Sequence, residues 1–301
     1  MTGPLVLPFP GEDARARDLA QRWGGAVGAL TIHRFPDGES LVTVDPAVAG
    51  RVVVVVCSLD RPDPKLIPLL FTLRTARELG AAAIGLVAPY LCYLRQDRRF
   101  EPGQAVAARL FAQMLGPHLD WLVTVDPHLH RIHTLPEVYT IPTMVVHAAP
   151  VVADWVMAYV PDPVFIGPDE ESAQWVAELA ARAGAPSLVL RKERHGDHDV
   201  DVTLSAPMDE PLRACTPVLY DDILSTGRTL AATAVQLRAR GMKPPVVVVV
   251  HALFAEGSME ALAAAGVKEV VSVDTVRHPT NRIGMTGGLA AAGAAFVNRS
   301  G

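Results

Sequence analysis

The apolar residues of this chain gather in short valine-rich runs: Val52 to Cys57, Ile84 to Val87, Val246 to Val250, and Val270-Val271 with Val273. Continuous β-branched runs of this length, with no polar alternation, predict strands buried on both faces, as in a parallel sheet covered by helices. Between them, leucine, alanine and arginine recur at helical spacing over 65–79, 105–115, 151–160, 172–183, 229–240 and 259–265. Several of these stretches end near glycine, as helices often do. Strand alternating with helix gives an α/β fold.

The pattern also repeats weakly. Val52 to Cys57 leads through Asp60 to a helix ending near Gly80 and then to the strand before Pro89; Pro217 to Tyr220 leads through Asp221-Asp222 to a helix ending near Gly241 and then to the strand before His251. Any two βαβ units share this much, so duplication and coincidence both stay open. The length of 301 residues leaves room for two domains at roughly 150 residues each. We therefore expect two similar domains, 1–143 and 144–301, each an open, mostly parallel sheet flanked by helices, with the boundary near Ile141-Pro142-Thr143.

Charge and cysteine content narrow the function classes. With 27 Lys+Arg against 32 Asp+Glu the net charge is −5, which does not suit a broadly basic nucleic-acid binder. Cys57, Cys92 and Cys215 lie far apart without a CxxC spacing, so neither a disulfide framework nor a structural zinc site is expected. No basic segment precedes the first apolar residues, and no apolar run reaches the 18 or so residues that cross a bilayer. We expect a cytoplasmic protein with no membrane and no nucleic-acid partner.

The most informative segment runs from Val218 to Leu230. A strand feeds two carboxylates, Asp221 and Asp222, at its carboxyl end; then Ser225, Thr226 and Gly227 open a helix that begins with Arg228 and Thr229. The first amides of a helix and its positive dipole end suit a phosphate, while the acids suit sugar hydroxyls. Ser225, Thr226 and Thr229 offer donors to phosphate oxygens, and Gly227 lets the backbone come close. The alternative is an ordinary helix start, with serine or threonine as the cap and the acids in a solvated turn. No P-loop, no GxGxxG after a strand, no HExxH and no GxSxG occurs, so an enzyme using a nucleoside triphosphate must hold it by other means.

Further motifs stand in a fixed order: Phe35-Pro36-Asp37-Gly38-Glu39, Pro89 to Arg99 with Arg95-Gln96-Asp97, Asp126-Pro127-His128, Pro168-Asp169, Lys192-Glu193-Arg194, and the loop from Asp221 to Thr229. Together they resemble the phosphoribosyl pyrophosphate synthetases, or ribose-phosphate pyrophosphokinases, and in particular the archaeal-type branch of that family. The resemblance implies a duplicated phosphoribosyltransferase-like fold. It also implies a reaction in which the β,γ-diphosphoryl group of Mg-ATP passes to the anomeric hydroxyl of ribose 5-phosphate, with AMP released.

Residue by residue, the resemblance implies that Phe35, Asp37 and Glu39 form a hairpin that meets adenine, and that Arg95, Gln96 and Asp97 bind ATP. It makes His128 and Asp169 contacts of Mg2+, and gives Lys192 and Arg194 the task of neutralising the transferring group from a closing loop after the strand Ser187 to Leu190. Asp221, Asp222, Ser225, Thr226, Gly227, Arg228 and Thr229 would bind ribose 5-phosphate. It further implies a homo-oligomer, at least a dimer, in which the Phe35 hairpin reaches the ATP site of a neighbouring subunit. Read without the family, the hairpin is a good turn, and the Arg95 and Lys192 segments are solvated charged loops. His130 and His133 lack a further acidic or cysteine ligand, so no zinc site is expected.

The chain departs from the family pattern at Ser225, where many members carry aspartate, and at Arg228, which replaces a usual glycine. Glu171-Ser172 replaces a common Gly-Gly pair, and Pro127 replaces leucine. The Ser225 and Arg228 departures keep a catalytically silent, synthetase-like regulatory subunit as an alternative; a phosphoribosyltransferase is the other.

Overall fold

The valine runs form the middle of two mostly parallel sheets in a computed structural model, which describes residues 3–167, 172–195, 199–204 and 210–298; for 174, 191–195, 199–204 and 210–211 it describes the backbone alone. Two compact units divide the chain: Met1–Val146 with Thr286–Gly301, and His147–Met285.

In the first unit the elements run β1 (Leu5–Pro8), α1 (Asp13–Arg22), β2 (Ala26–Val27), β3 (Leu30–Arg34), β4 (Ser40–Val44), β5 (Val52–Val56), α2 (Asp63–Glu78), β6 (Ala83–Ala88), α3 (Ala107–Leu115), β7 (Trp121–Val125) and β8 (Thr143–Val146). Its sheet has the order β2-β1-β5-β6-β7-β8, parallel throughout. Strands β3 and β4 stand apart as an antiparallel hairpin. Val53 to Val56 of β5 are buried because helices cover the sheet, which is why the run shows no polar alternation.

The second unit continues with α4 (Ala149–Tyr159), β9 (Pro163–Gly167), α5 (Ala173–Ala183), β10 (Ser187–His195), β11 (Asp199–Leu204), α6 (Glu210–Ala214), β12 (Thr216–Leu224), α7 (Arg228–Ala239), β13 (Val246–Ala252), α8 (Ser258–Ala264), β14 (Glu269–Val273) and β15 (Asn281–Ile283). The strand order is β11-β10-β9-β12-β13-β14-β15, with only the β10–β11 pair antiparallel. Counting each unit's parallel sheet strands in chain order, both sheets read 2-1-3-4-5-6. The repeat therefore extends over a whole sheet rather than one βαβ unit, which coincidence between two βαβ units does not explain.

Two elements depart from the expected division at 143/144, the first being β8, which lies wholly in the first unit. Helix α9 (Thr286–Val297) lies in the first unit, not the second. Its alanines and glycines let it come close: the Trp23 indole N–H donates to Ala290 O at 2.9 Å, and Phe296 stacks on Trp121 with ring centres 5.0 Å apart. Trp121 in turn lies over Gly85, its partner in the β6–β7 register. A Cβ at Gly85 would sit 2.0 Å from the indole. Gly85→Ala must push Trp121 away from its seat under α9, and overpacking of this kind costs about 1–3 kcal/mol. The expected result is a thermal midpoint several degrees below wild type in scanning fluorimetry; an unchanged midpoint would show that the indole moves freely.

Candidate functional site

Strand order locates the crevice of each unit. In an open parallel sheet a ligand binds beyond the carboxyl ends of the strands where the order reverses. In the second unit this point lies between β9 and β12, which pair from Thr216 opposite Pro163 to Leu219 opposite Ile166.

Strand β12 carries both acids, Asp221 half-buried and Asp222 buried, close to its carboxyl end. The Asp222 amide donates to Asp221 Oδ1 at 2.9 Å. Ser225 and Thr226 follow, and the residue that caps α7 is Gly227, at φ +68° and ψ 2°. A left-handed cap favours glycine, and glycine has no side chain to accept from the first-turn amides. The serine or threonine cap of the alternative reading is thus not what starts this helix. The loop is held from below: Ser225 O accepts from Ala255 N at 3.0 Å. Thr226 and Arg228 are exposed, whereas Ser225 and Thr229 are half-buried.

Lys192 and Arg194 lie inside β10 rather than in a loop after Leu190. The strand continues to His195, and its backbone pairs Lys192 with Val202 and Arg194 with Val200 of β11. Charge along this segment hid the strand, because an antiparallel pair at a sheet edge needs no continuous apolar run. Asp169 and Glu171 lie outside the described residues.

The corresponding strand ends of the first unit, after β1 and β5, are bridged by the chain's own charges. Glu12 Oε1 accepts the Ser58 amide at 3.3 Å, and Glu12 pairs with Arg15 at 2.9 Å. Lys65 pairs with Asp60 at 2.6 Å and donates to Ser58 O at 2.8 Å. A carboxylate stands at these strand ends, whereas the loop after β12 carries Ser225, Thr226 and a glycine cap.

The other candidates of the first unit form two groups. The turn from Phe35 to Glu39 closes the β3–β4 hairpin: Phe35 N donates to Glu39 O at 2.8 Å, Gly38 N to Phe35 O at 2.9 Å, and Glu39 N to Asp37 Oδ1 at 3.0 Å. Phe35, Asp37 and Glu39 are exposed, with the Phe35 ring edge-on to His33 at 4.7 Å. The hairpin is tied to the start of α2, where Arg34 donates to Pro64 O at 2.8 Å.

The second group lies beyond β6 and β7. Arg95 and Gln96 are exposed, and His128 is half-buried just past β7. Asp97 differs from the expectation for an ATP-contacting residue. Its carboxylate is turned inward and accepts from the Arg131 amide at 3.0 Å and from Arg131 Nη1 at 3.3 Å. Burial pushes this carboxyl up, but the Arg131 amide and guanidinium outweigh burial and hold it below the usual carboxylate range. Asp97 therefore braces two loops instead of offering its oxygens outward. Sequence reasoning missed Arg131, whose partner stands 34 residues earlier; its place three residues after His128 was the only signal.

Among the described residues no three His, Cys, Asp or Glu side chains converge to hold a metal ion.

Known proteins give independent findings. The family model for the N-terminal domain of ribose phosphate pyrophosphokinase matches residues 9–117, and that for the phosphoribosyl transferase domain matches 142–285. The ribose-phosphate pyrophosphokinase of Methanopyrus kandleri is 34% identical over 269 residues, covering 89% of this chain and 90% of that protein. That of Halobacterium salinarum is 35% identical over 282 residues, covering 93% and 96%. In fold, the chain is similar to the phosphoribosylpyrophosphate synthetase of Mycobacterium smegmatis, with a TM-score of 0.83 at 23% identity over 99% of this chain and 100% of that one.

Proposed function

Because this chain belongs to the ribose-phosphate pyrophosphokinase family, we propose that it transfers the β,γ-diphosphoryl group of Mg-ATP to ribose 5-phosphate. The anomeric oxygen forms a bond to the β-phosphorus, the α-β bridge breaks on the β side, AMP leaves with the bridging oxygen, and the hydroxyl gives up its proton. The products are phosphoribosyl pyrophosphate and AMP. The observation that carries the reading is the β12–Gly227–α7 segment, with two carboxylates at a strand end and a helix start capped by a residue without a side chain.

In this reading Asp221 and Asp222 accept from the sugar hydroxyls. Ser225, Thr226, Gly227 and Thr229 donate to the 5-phosphate, and the exposed Arg228 adds a cation beside it. Arg95 and Gln96 orient the triphosphate or the adenine, with Phe35, Asp37 and Glu39 on the base. Lys192 and Arg194 neutralise charge on the transferring diphosphoryl group, a task in which the protein mainly positions and neutralises. His128 and Asp169 would hold Mg2+ together with phosphate oxygens; when bound, the ion neutralises triphosphate charge and makes the β-phosphorus easier to attack. The test is AMP formation that requires both Mg-ATP and ribose 5-phosphate; AMP released at the same rate without the sugar would contradict the reading. No helix among the described residues is long and apolar enough to cross a membrane; the use of ATP as substrate supports a cytoplasmic reaction.

We also propose a homo-oligomer, at least a dimer, in which the exposed Phe35 turn completes the ATP site of a neighbouring subunit. A two-fold axis gives each subunit one hairpin to lend and one site to fill. Mixing a Phe35→Ala, Glu39→Ala chain with a Lys192→Ala chain is then expected to restore activity, because one site of each mixed dimer is intact. Mixed dimers seen by native mass spectrometry with activity no higher than either parent would contradict the shared site.

A further inference from the structure

The segment that presents Arg95 and Gln96 to solvent is fastened at both ends. At its start Tyr93 is held at φ +63°, a left-handed conformation that costs a non-glycine residue energy and persists only where the surroundings hold it. The Tyr93 hydroxyl donates to the Asp63 carboxylate, and its ring lies 5.2 Å from that of Phe111. In the middle, Gln96 N donates to Tyr93 O at 3.0 Å and Gln96 O accepts from Ala108 N at 3.2 Å. At its end Asp97 takes both the amide and the guanidinium of Arg131.

The last fastening is not an ordinary surface ion pair. Such pairs contribute little when both partners are in water. Here the Asp97 side chain is 3% exposed and the Arg131 side chain 41% exposed. A carboxylate removed from water needs its charge answered, and two charge-assisted hydrogen bonds from one residue fix both distance and orientation. Arg131 also lies three residues beyond His128, so the bond ties two loops that leave neighbouring strands, β6 and β7.

We infer that Arg131 is a positioning residue for nucleotide binding: through Asp97 it holds the exposed Arg95–Gln96 turn against the loop that carries His128. The inference rests on the reading that Arg95 and Gln96 meet ATP. A turn held in its binding shape before the ligand arrives loses little freedom on binding; a loosened one must be ordered at the expense of affinity. Loss of the guanidinium therefore weakens ATP binding and leaves the sugar phosphate and the chemical step nearly untouched.

The test combines steady-state kinetics, with each substrate varied separately, and calorimetric binding of Mg-ATP alone to the full chain. Arg131→Gln is expected to raise KM and Kd for Mg-ATP about tenfold, the size of one charge-assisted hydrogen bond, with kcat and the KM for ribose 5-phosphate within threefold of wild type. Arg131→Lys should recover most of the loss, since it keeps a cation for Asp97. Asp97→Asn should resemble Arg131→Gln, and the double variant should be no worse than the poorer single one. Because the Arg131 side chain is partly exposed, Arg131→Gln should fold even where Asp97→Asn does not. A Kd for Mg-ATP within twofold of wild type in Arg131→Gln, or equal rises in both KM values, would overturn the inference. A wild-type chain that binds Mg-ATP yet forms no AMP would overturn the proposed function instead, and the calorimetric arm would still decide the role of Arg131.

Discussion

Lys192→Ala is expected to lower kcat by about 10²- to 10³-fold, the usual loss when one electrostatic contact to a transition state is removed. The triphosphate of ATP and the 5-phosphate of the sugar are met by other groups in the proposed sites, so KM values should change only a few-fold. A change confined to kcat marks an interaction made mainly in the transition state. Lys192 is paired through its backbone with Val202 in an antiparallel ribbon at the sheet edge. An alanine keeps that backbone pairing, so the variant should fold normally. An unchanged kcat would make the ribbon an ordinary charged hairpin and remove Lys192 from the reaction.

The second large effect concerns the sugar. Asp221→Asn and Asp222→Asn are each expected to raise the KM for ribose 5-phosphate about 10- to 100-fold, with the KM for ATP within a factor of two. A hydrogen bond to a charged group contributes roughly 1.5–3 kcal/mol, which corresponds to that range. Asparagine keeps the size of the side chain, which matters at Asp222 because it is 9% exposed. Steady-state measurements with each substrate varied in turn decide the matter. Equal effects on both substrates would place the two acids away from the sugar.

Much of this architecture was legible in the sequence because the central strands are buried on both faces. The Val52 and Val246 runs correspond to β5 and β13, and the six expected helical stretches correspond to α2, α3, α4, α5, α7 and α8 within a few residues. The edges were less legible. Strand β1 has four residues, and α1 buries only Ala16, Leu19 and Ala20, so neither shows a long pattern. The continuation of β10 through Lys192 and Arg194 was hidden by its charge, and α9 showed no sign of returning to the first unit. Its place follows from close packing of Ala290, Gly293 and Phe296 on Trp23 and Trp121, contacts too distant in sequence to read.

Among the candidate site residues, the Asp221 to Thr229 loop could be read locally, because strand end, glycine cap and helix start are consecutive. The inward turn of Asp97 could not, since nothing near it in the chain announces Arg131. The same limit applies to Glu12, whose bond to the Ser58 amide links the loops after β1 and β5 across 46 positions of sequence.

The central claim is that two phosphoryl groups move together from ATP to the sugar. Phosphorus NMR of a reaction with ATP carrying an isotopically marked β,γ-bridging oxygen tests it most directly. The account predicts a sugar product bearing a diphosphate with that marked bridge intact, AMP in equal amount, and no ADP. ADP as the nucleotide product, or a sugar carrying a single new phosphate, would contradict it.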